Sequence, residues 1–331
     1  MKFLSYATEI SKKVERFIYE IIEGEPKILY ESALHYIKAG GKRVRPLITV
    51  LSARLCGGSE DIAIPGAAAV EVLHTFTLVH DDIIDRDEFR RGVPTVHKIW
   101  GSDMAIISGD LLFAYAYRCL IKSLSYGIPS DRVVRAVDIL TDATITVAEG
   151  QALDMLLPTF NGVDVHSYIE MVRKKTAALF ASSAAIGAVL AGGNTEIIEK
   201  LREAMINAGI AFQIRDDVLG LLGDEKVLGK PVYSDIREGK MTILVIYTLN
   251  NADENKRRRL KSILGNRNAN LQELSEAAEI IKSSGAIEYA EDLAEHYAIK
   301  AINISRSIES KDDEALNMFR EVVEFMVKRN Y

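Results

Sequence analysis

Apolar residues recur three and four positions apart along almost the whole chain. The pattern covers residues 8–22, 66–84, 103–124, 131–157, 166–190, 196–219 and 271–283. This period puts an apolar stripe along one side of each segment and predicts helices. No alternating apolar–polar run is flanked by an Asn-Gly or Asp-Gly turn, so strands are not expected. Most prolines stand between the periodic segments, at Pro26, Pro65, Pro94, Pro129, Pro158 and Pro231. Glycines gather at the same joints, at Gly57-Gly58, Gly192-Gly193 and Gly239. With no low-complexity linker, the pattern predicts one all-α domain over residues 1–331, with functional loops between its helices.

The most apolar stretch, AALFASSAAIGAVLAGG at 177–193, is rich in Ala, Ser and Gly and short for a membrane span. It predicts close helix–helix packing in a protein that is not integral to a membrane. The N-terminal MKFLSYATEISKKVERFIYEI is amphipathic and has no small-residue cleavage site, so it does not read as a signal peptide.

Composition narrows the partners. The chain is 48% hydrophobic and carries a net charge of −6, so a full core is available and a nucleic-acid partner is not expected. Cys56 and Cys119 lie among apolar residues without metal-ligand spacing. They read as inert buried thiols of a reducing cytoplasm. The polar stretch 251–272 contains KRRR at 256–259, which reads as a solvated helix face rather than an anion contact.

Candidate chemistry sits in two acidic clusters inside otherwise apolar segments. The first is DDIID, with Asp81, Asp82 and Asp85; the second is FQIRDDVLG, with Asp216 and Asp217. Asp81 and Asp85 are four residues apart and share a helix face, where like charges repel. They also stand near the helix C-terminus, where the dipole disfavours anions. A bridging cation would compensate, and carboxylates facing one cavity suit a hard cation such as Mg²⁺. The bland alternatives are a solvated acidic helix end for the first cluster and an ion pair with Arg215 for the second. GGKRVRP at 40–46 adds three cations in a Gly-initiated turn, with Pro46 placed for a helix start. There Lys42 and Arg45 could clamp a diphosphate.

DDIIDRDEFRRGVPTVH at 81–97, together with GGKRVRP, KKTAALF and FQIRDDVLG, resembles the trans-isoprenyl diphosphate synthases over most of the chain. The resemblance implies an antiparallel helical bundle around a deep central cavity. It implies about three Mg²⁺ per site, held by Asp81, Asp85 and Asp216, with Asp82 tuning the ligands through hydrogen bonds. Phe212 and Gln213 match the pair before the second motif, and Asp217 belongs to it. Gly220 stands where many members carry a third aspartate.

Lys42, Arg45, His74 and Arg91 would hold isopentenyl diphosphate without metal. Arg90, Lys175 and Lys230 would support the allylic diphosphate. The Lys175-Thr176 carbonyl would face a developing carbocation. Gln151, with Asp154 one turn on, matches a position near the metals, and Lys240 would close over the site. His74 alone reads as a core histidine; its place two turns before Asp81 makes it a candidate.

The implied reaction is head-to-tail prenyl transfer by a cytoplasmic homodimer. Leu73, Phe76 and Thr77 precede DDIID on its helix, and Phe113 follows on the next. A large Phe76 beside a small Thr77 resembles archaeal-type geranylgeranyl diphosphate synthases, although Phe76 could also be plain core packing. A longer product is the main rival. A terpene cyclase would need one substrate site, whereas GGKRVRP and Arg90-Arg91 argue for a second. A non-catalytic subunit would be expected to lose an acidic cluster or a basic clamp, and both are kept.

Overall fold

The computed structural model describes residues 2–160, 162–223 and 233–328. The fold is all-α, as the periodicity predicts, apart from one hairpin of two-residue strands. The chain groups into two compact units. The first comprises residues 1–145, 179–205 and 302–323, and the second 146–178, 206–301 and 324–331.

In the first unit the helix Glu60–Asp85 packs against the helices Lys2–Ile21, Val44–Leu55 and Ser102–Ile121. Ala67 to Val70, Val72 and Leu73 are buried along it. The small-residue stretch forms the helix Ala178–Leu190, buried throughout from Leu179 to Leu190. Gly187 lies against the Thr49 backbone: a Cβ there would run into the Thr49 carbonyl oxygen. The close approach that Ala, Ser and Gly allow is thus made in protein, against Val44–Leu55. The segments Glu60–Asp85 and Ser102–Tyr126 are long and apolar enough to cross a membrane. The apolar window of the first is 72% buried within the protein, as in a core helix.

Three local features depart from the sequence reading. Pro65 lies inside the helix Glu60–Asp85, not between helices. It forfeits one hydrogen bond in the second turn, but Ala63, Ile64 and Pro65 itself are buried, and packing outweighs that loss. The hairpin pairs Phe89 with Pro94 and Arg90 with Val93. Its turn residues Arg91 and Gly92 have φ of 54° and 77°. Positive φ at both central positions is the tight turn that twisted strands accept, here supplied by Arg-Gly rather than Asn-Gly. The segment 166–190 is not one continuous α-helix: Arg173–Ala177 forms a π-helical turn between Val165–Val172 and Ala178–Leu190.

The second unit closes around Tyr168, Met171, Val172, Ile210, Ile214, Val218, Ile236 and Ile243. Its helix starts are capped by side chains: Asp164, Thr242, Asp253 and Asn270 each accept a backbone N–H of the first turn.

Gly187→Ala is expected to destabilise the protein by about 3 kcal/mol, because a backbone oxygen cannot yield as a flexible side chain can. Urea denaturation checks this through the midpoint. An unchanged midpoint would contradict the packing against Thr49.

Candidate active site

In the first unit, DDIID closes the helix Glu60–Asp85. Adjacent helical residues point about 100° apart, so the two aspartates of a pair cannot share an environment. Asp82 turns inward and is fully buried. It accepts from the Tyr36 hydroxyl and from Arg90, whose Nε lies at 2.8 Å. Arg90 also reaches Asp87 at 3.1 Å. Burial alone would lower the Arg90 pKa, but Asp82, with Asp87 and Asp81, offsets this and holds it above its ordinary value. Burial and Asp82 together push the Tyr36 phenol far up, so it stays a donor. Asp81 and Asp85 remain half-buried. Among the described residues, no three His, Cys, Asp or Glu side chains converge enough to hold a metal by themselves. That donor set fits Mg²⁺, which takes one or two carboxylates and completes its shell with water and substrate phosphate.

The basic turn is more deeply built than three surface cations. Arg43, at φ 46°, points into the protein with its side chain 1% exposed. It pairs with Glu71, with Glu15 at 3.0 Å, and with the Ile37 carbonyl at 2.7 Å. Arg91 donates to the carbonyls of Gly40 and, at 3.0 Å, Tyr36, and lies 3.9 Å from Glu71. Arg45 lies over the Phe180 ring at 3.9 Å and donates to His74 Nε2 at 3.2 Å. Its own Nε is sheltered without a hydrogen-bond partner among the described residues.

Burial, helped by Arg91, pushes Arg45 down to about 10. Burial and then Arg45 hold His74 well below the usual histidine range. His74 is therefore neutral and accepts at Nε2. Among the described residues, the carboxylates that stabilise the three guanidiniums of Arg43, Arg45 and Arg91 most are Glu15 and Glu71. A surplus of buried positive charge is costly alone and attracts an anion. Lys42 lies exposed at the edge of this cluster.

Further along the helix Glu60–Asp85, Phe76 stacks edge-on with His80 at 4.8 Å and Phe113 at 5.5 Å. Phe113 in turn meets Tyr117 at 5.2 Å. Thr77 bonds back to the His74 carbonyl at 2.8 Å, and Leu73 is buried in the core.

The second unit repeats the division of its aspartate pair. Asp217 is buried and accepts from the Tyr168 hydroxyl at 2.7 Å and from Gln213 Nε2 at 3.0 Å. Burial raises its pKa to about 7, against the lowering effect of these donors. Asp216 stays half-buried. Arg215 turns to Glu295 at 3.1 Å. Gly220 has a local reason: a Cβ there would lie 2.9 Å from Asp235 Oδ2, so a third aspartate would meet a carboxylate already in place.

The π turn carries Lys175 and Thr176. Lys175 pairs with Asp154 at 2.6 Å, and its backbone packs so close to Gly150 that a Cβ there would overlap it. Thr176 donates to Gln213 Oε1 at 2.9 Å. Both polar atoms of the Gln151 amide are sheltered without a hydrogen-bond partner among the described residues. An unmet amide of this kind calls for a ligand or water. Lys240 reaches Glu238 at 3.2 Å. Lys230 lies outside the described residues.

Sequence reasoning missed Tyr36, Tyr168, Glu71 and Phe180. Glu71 did leave a signal, as the one charged side chain between Ile62 and His74 on an apolar helix. The two tyrosines left none.

The profile of the Polyprenyl synthetase family matches residues 26–281. The geranylfarnesyl diphosphate synthase of Aeropyrum pernix is 46% identical, over 96% of this chain and 99% of its own. The geranylgeranyl diphosphate synthase of Sulfolobus acidocaldarius is 45% identical, over 99% of this chain and 98% of its own. The crystal structure of geranylgeranyl pyrophosphate synthetase from Pyrococcus horikoshii superposes with a TM-score of 0.91 at 40% identity, covering 99% of each chain. Carrying both acidic pairs and the guanidinium cluster on such a fold, the chain belongs to the polyprenyl synthetase family.

Proposed function

We propose that this prenyltransferase condenses isopentenyl diphosphate with short allylic diphosphates (dimethylallyl, geranyl, farnesyl) and releases geranylgeranyl diphosphate. The observation that carries the reading is the contrast within the first unit. Arg45, Arg91 and neutral His74 form a site whose charge alone suits a diphosphate. Asp81 and Asp85, on the same helix, suit a diphosphate only through a cation.

Asp81, Asp85 and Asp216 would hold the Mg²⁺ ions. Bound there, the metal would neutralise charge growing on the departing diphosphate and so favour the transition state over the ground state. Lys175, fixed by Asp154, adds positive charge to the same leaving group, with Arg90, Lys230 and Lys240 in support. Lys42, Arg45, His74 and Arg91 hold isopentenyl diphosphate, with Arg45 kept flat against Phe180. Gln151 offers its unmet amide near the allylic group.

The allylic C–O bond breaks with its electron pair on the diphosphate. The isopentenyl double bond attacks the allylic carbon. A proton then leaves to the diphosphate, and a new double bond forms. Apolar walls exclude the water that would otherwise capture the cation.

Phe76, braced by His80 and Phe113, would be the floor that stops elongation at twenty carbons. A twenty-five-carbon product is the second reading, supported by the 46% identity to the geranylfarnesyl diphosphate synthase of Aeropyrum pernix. We also propose a cytoplasmic homodimer; Ile106, Ile107, Phe113 and Ile121 expose apolar surface along one helix, which supports a second copy there.

Asp81→Ala or Asp216→Ala is expected to cost about 3 kcal/mol or more in transition-state stabilisation. Steady-state turnover with Mg²⁺ and both diphosphates checks this, and near-normal turnover by either variant would remove the metal assignment. Phe76→Ala is expected to lengthen the product, read by chromatography of the dephosphorylated alcohols. An unchanged product distribution would place the floor elsewhere.

A further inference from the structure

Four side chains of the second unit form one hydrogen-bonded line. Tyr168 donates to Asp217 Oδ2 at 2.7 Å, and the Ile243 N–H reaches the same oxygen at 3.4 Å. Gln213 Nε2 donates to Asp217 Oδ1 at 3.0 Å, and Thr176 Oγ1 donates to Gln213 Oε1 at 2.9 Å. Tyr168 is 1% exposed and Asp217 7%, so water does not replace these partners readily.

The line has a direction. A primary amide can present either its oxygen or its nitrogen to a neighbour, and only its partners decide which. The Gln213 nitrogen faces Asp217 Oδ1 and its oxygen faces Thr176 Oγ1, so its two partners turn the amide one way. The amide oxygen then faces Thr176, whose hydroxyl proton is committed to it. The lone pairs of Thr176 Oγ1 are left to point elsewhere, as the negative end of a fixed dipole. Thr176 belongs to the π turn whose Lys175 is anchored on Asp154. Such turns often mark functional positions.

We infer that Tyr168 is a positioning residue that, through Asp217 and Gln213, sets the polarity of the Thr176 hydroxyl toward the reacting allylic group. This rests on the prenyl-transfer reading. Tyr168 never meets substrate; it holds the plane of the Asp217 carboxylate. Without the phenol, Oδ2 keeps, among the described residues, the long bond from the Ile243 N–H. The carboxylate can then rotate, Gln213 can flip, and Thr176 loses its fixed direction. A dipole aimed at developing positive charge acts in the transition state and little in the ground state. The role therefore falls on kcat.

The test is a double-mutant cycle read by steady-state kinetics, with a thermal melt for each variant. Tyr168→Phe is expected to lower kcat about tenfold, in the range typical of a group that orients a ligand from behind. KM for both diphosphates should stay within about twofold. In the Thr176→Val background, where no hydroxyl remains to orient, the same substitution should cost less than about twofold. A general loss of packing would cost the same in both backgrounds, and that result overturns the inference. A raised KM at unchanged kcat overturns it as well. If Tyr168→Phe does not fold, Gln213→Leu cuts the line at its middle, and its loss must likewise vanish beside Thr176→Val. An active wild type with additive losses defeats this inference alone. A wild type without prenyl transfer defeats both readings.

Discussion

Arg43 is the residue on which the basic side of this protein depends. Its guanidinium lies buried against Glu71 and Glu15, and it accepts a left-handed backbone to get there. Removing one partner of such a pair leaves an uncompensated buried charge, which is strongly destabilising. The pairing reverses the turn GGKRVRP, so that Lys42 stays at the surface while Arg45 enters the helix Val44–Leu55. Glu71 also acts on Arg91 and Arg45, but its single charge is shared among the three guanidiniums. The excess positive charge is therefore a consequence of the fold, held in place before any anion arrives. A preformed site of this kind has less to reorganise on binding.

A second constraint is the geometry of paired aspartates on a helix. In both motifs one member is buried on a tyrosine hydroxyl: Asp82 on Tyr36 and Asp217 on Tyr168. The other member, Asp81 or Asp216, remains half-buried. The inner carboxylate organises the protein around it, through Arg90 in one case and Gln213 in the other. The outer one is the member proposed to hold the metal. The two positions thus serve different ends, and replacing the inner aspartate would disturb folding and chemistry together.

Much of this was legible in the sequence because its signals are periodic or local. The helices follow from apolar spacing, and the candidate residues cluster in short motifs such as DDIID and GGKRVRP. What escaped depends on contacts between distant segments. Tyr36 meets Asp82 across 46 positions and Tyr168 meets Asp217 across 49, and a lone tyrosine carries no mark of such a partner. Pro65 was misplaced because burial outweighed a local helix breaker. The hairpin around the Arg90-Arg91-Gly92 turn was missed because Arg91 owes its left-handed backbone to bonds with Gly40 and Tyr36, not to its residue type. The reason for Gly220 appeared only when Asp235 was found beside it.

We propose that the guanidinium cluster holds one diphosphate by charge alone, whereas the aspartates need a cation to hold the other. Titration calorimetry tests it directly, with isopentenyl diphosphate and a non-reactive allylic thiodiphosphate, each in Mg²⁺ and in chelator. Isopentenyl diphosphate is expected to bind under both conditions and the allylic analogue only with Mg²⁺. Loss of isopentenyl diphosphate binding in chelator would contradict it.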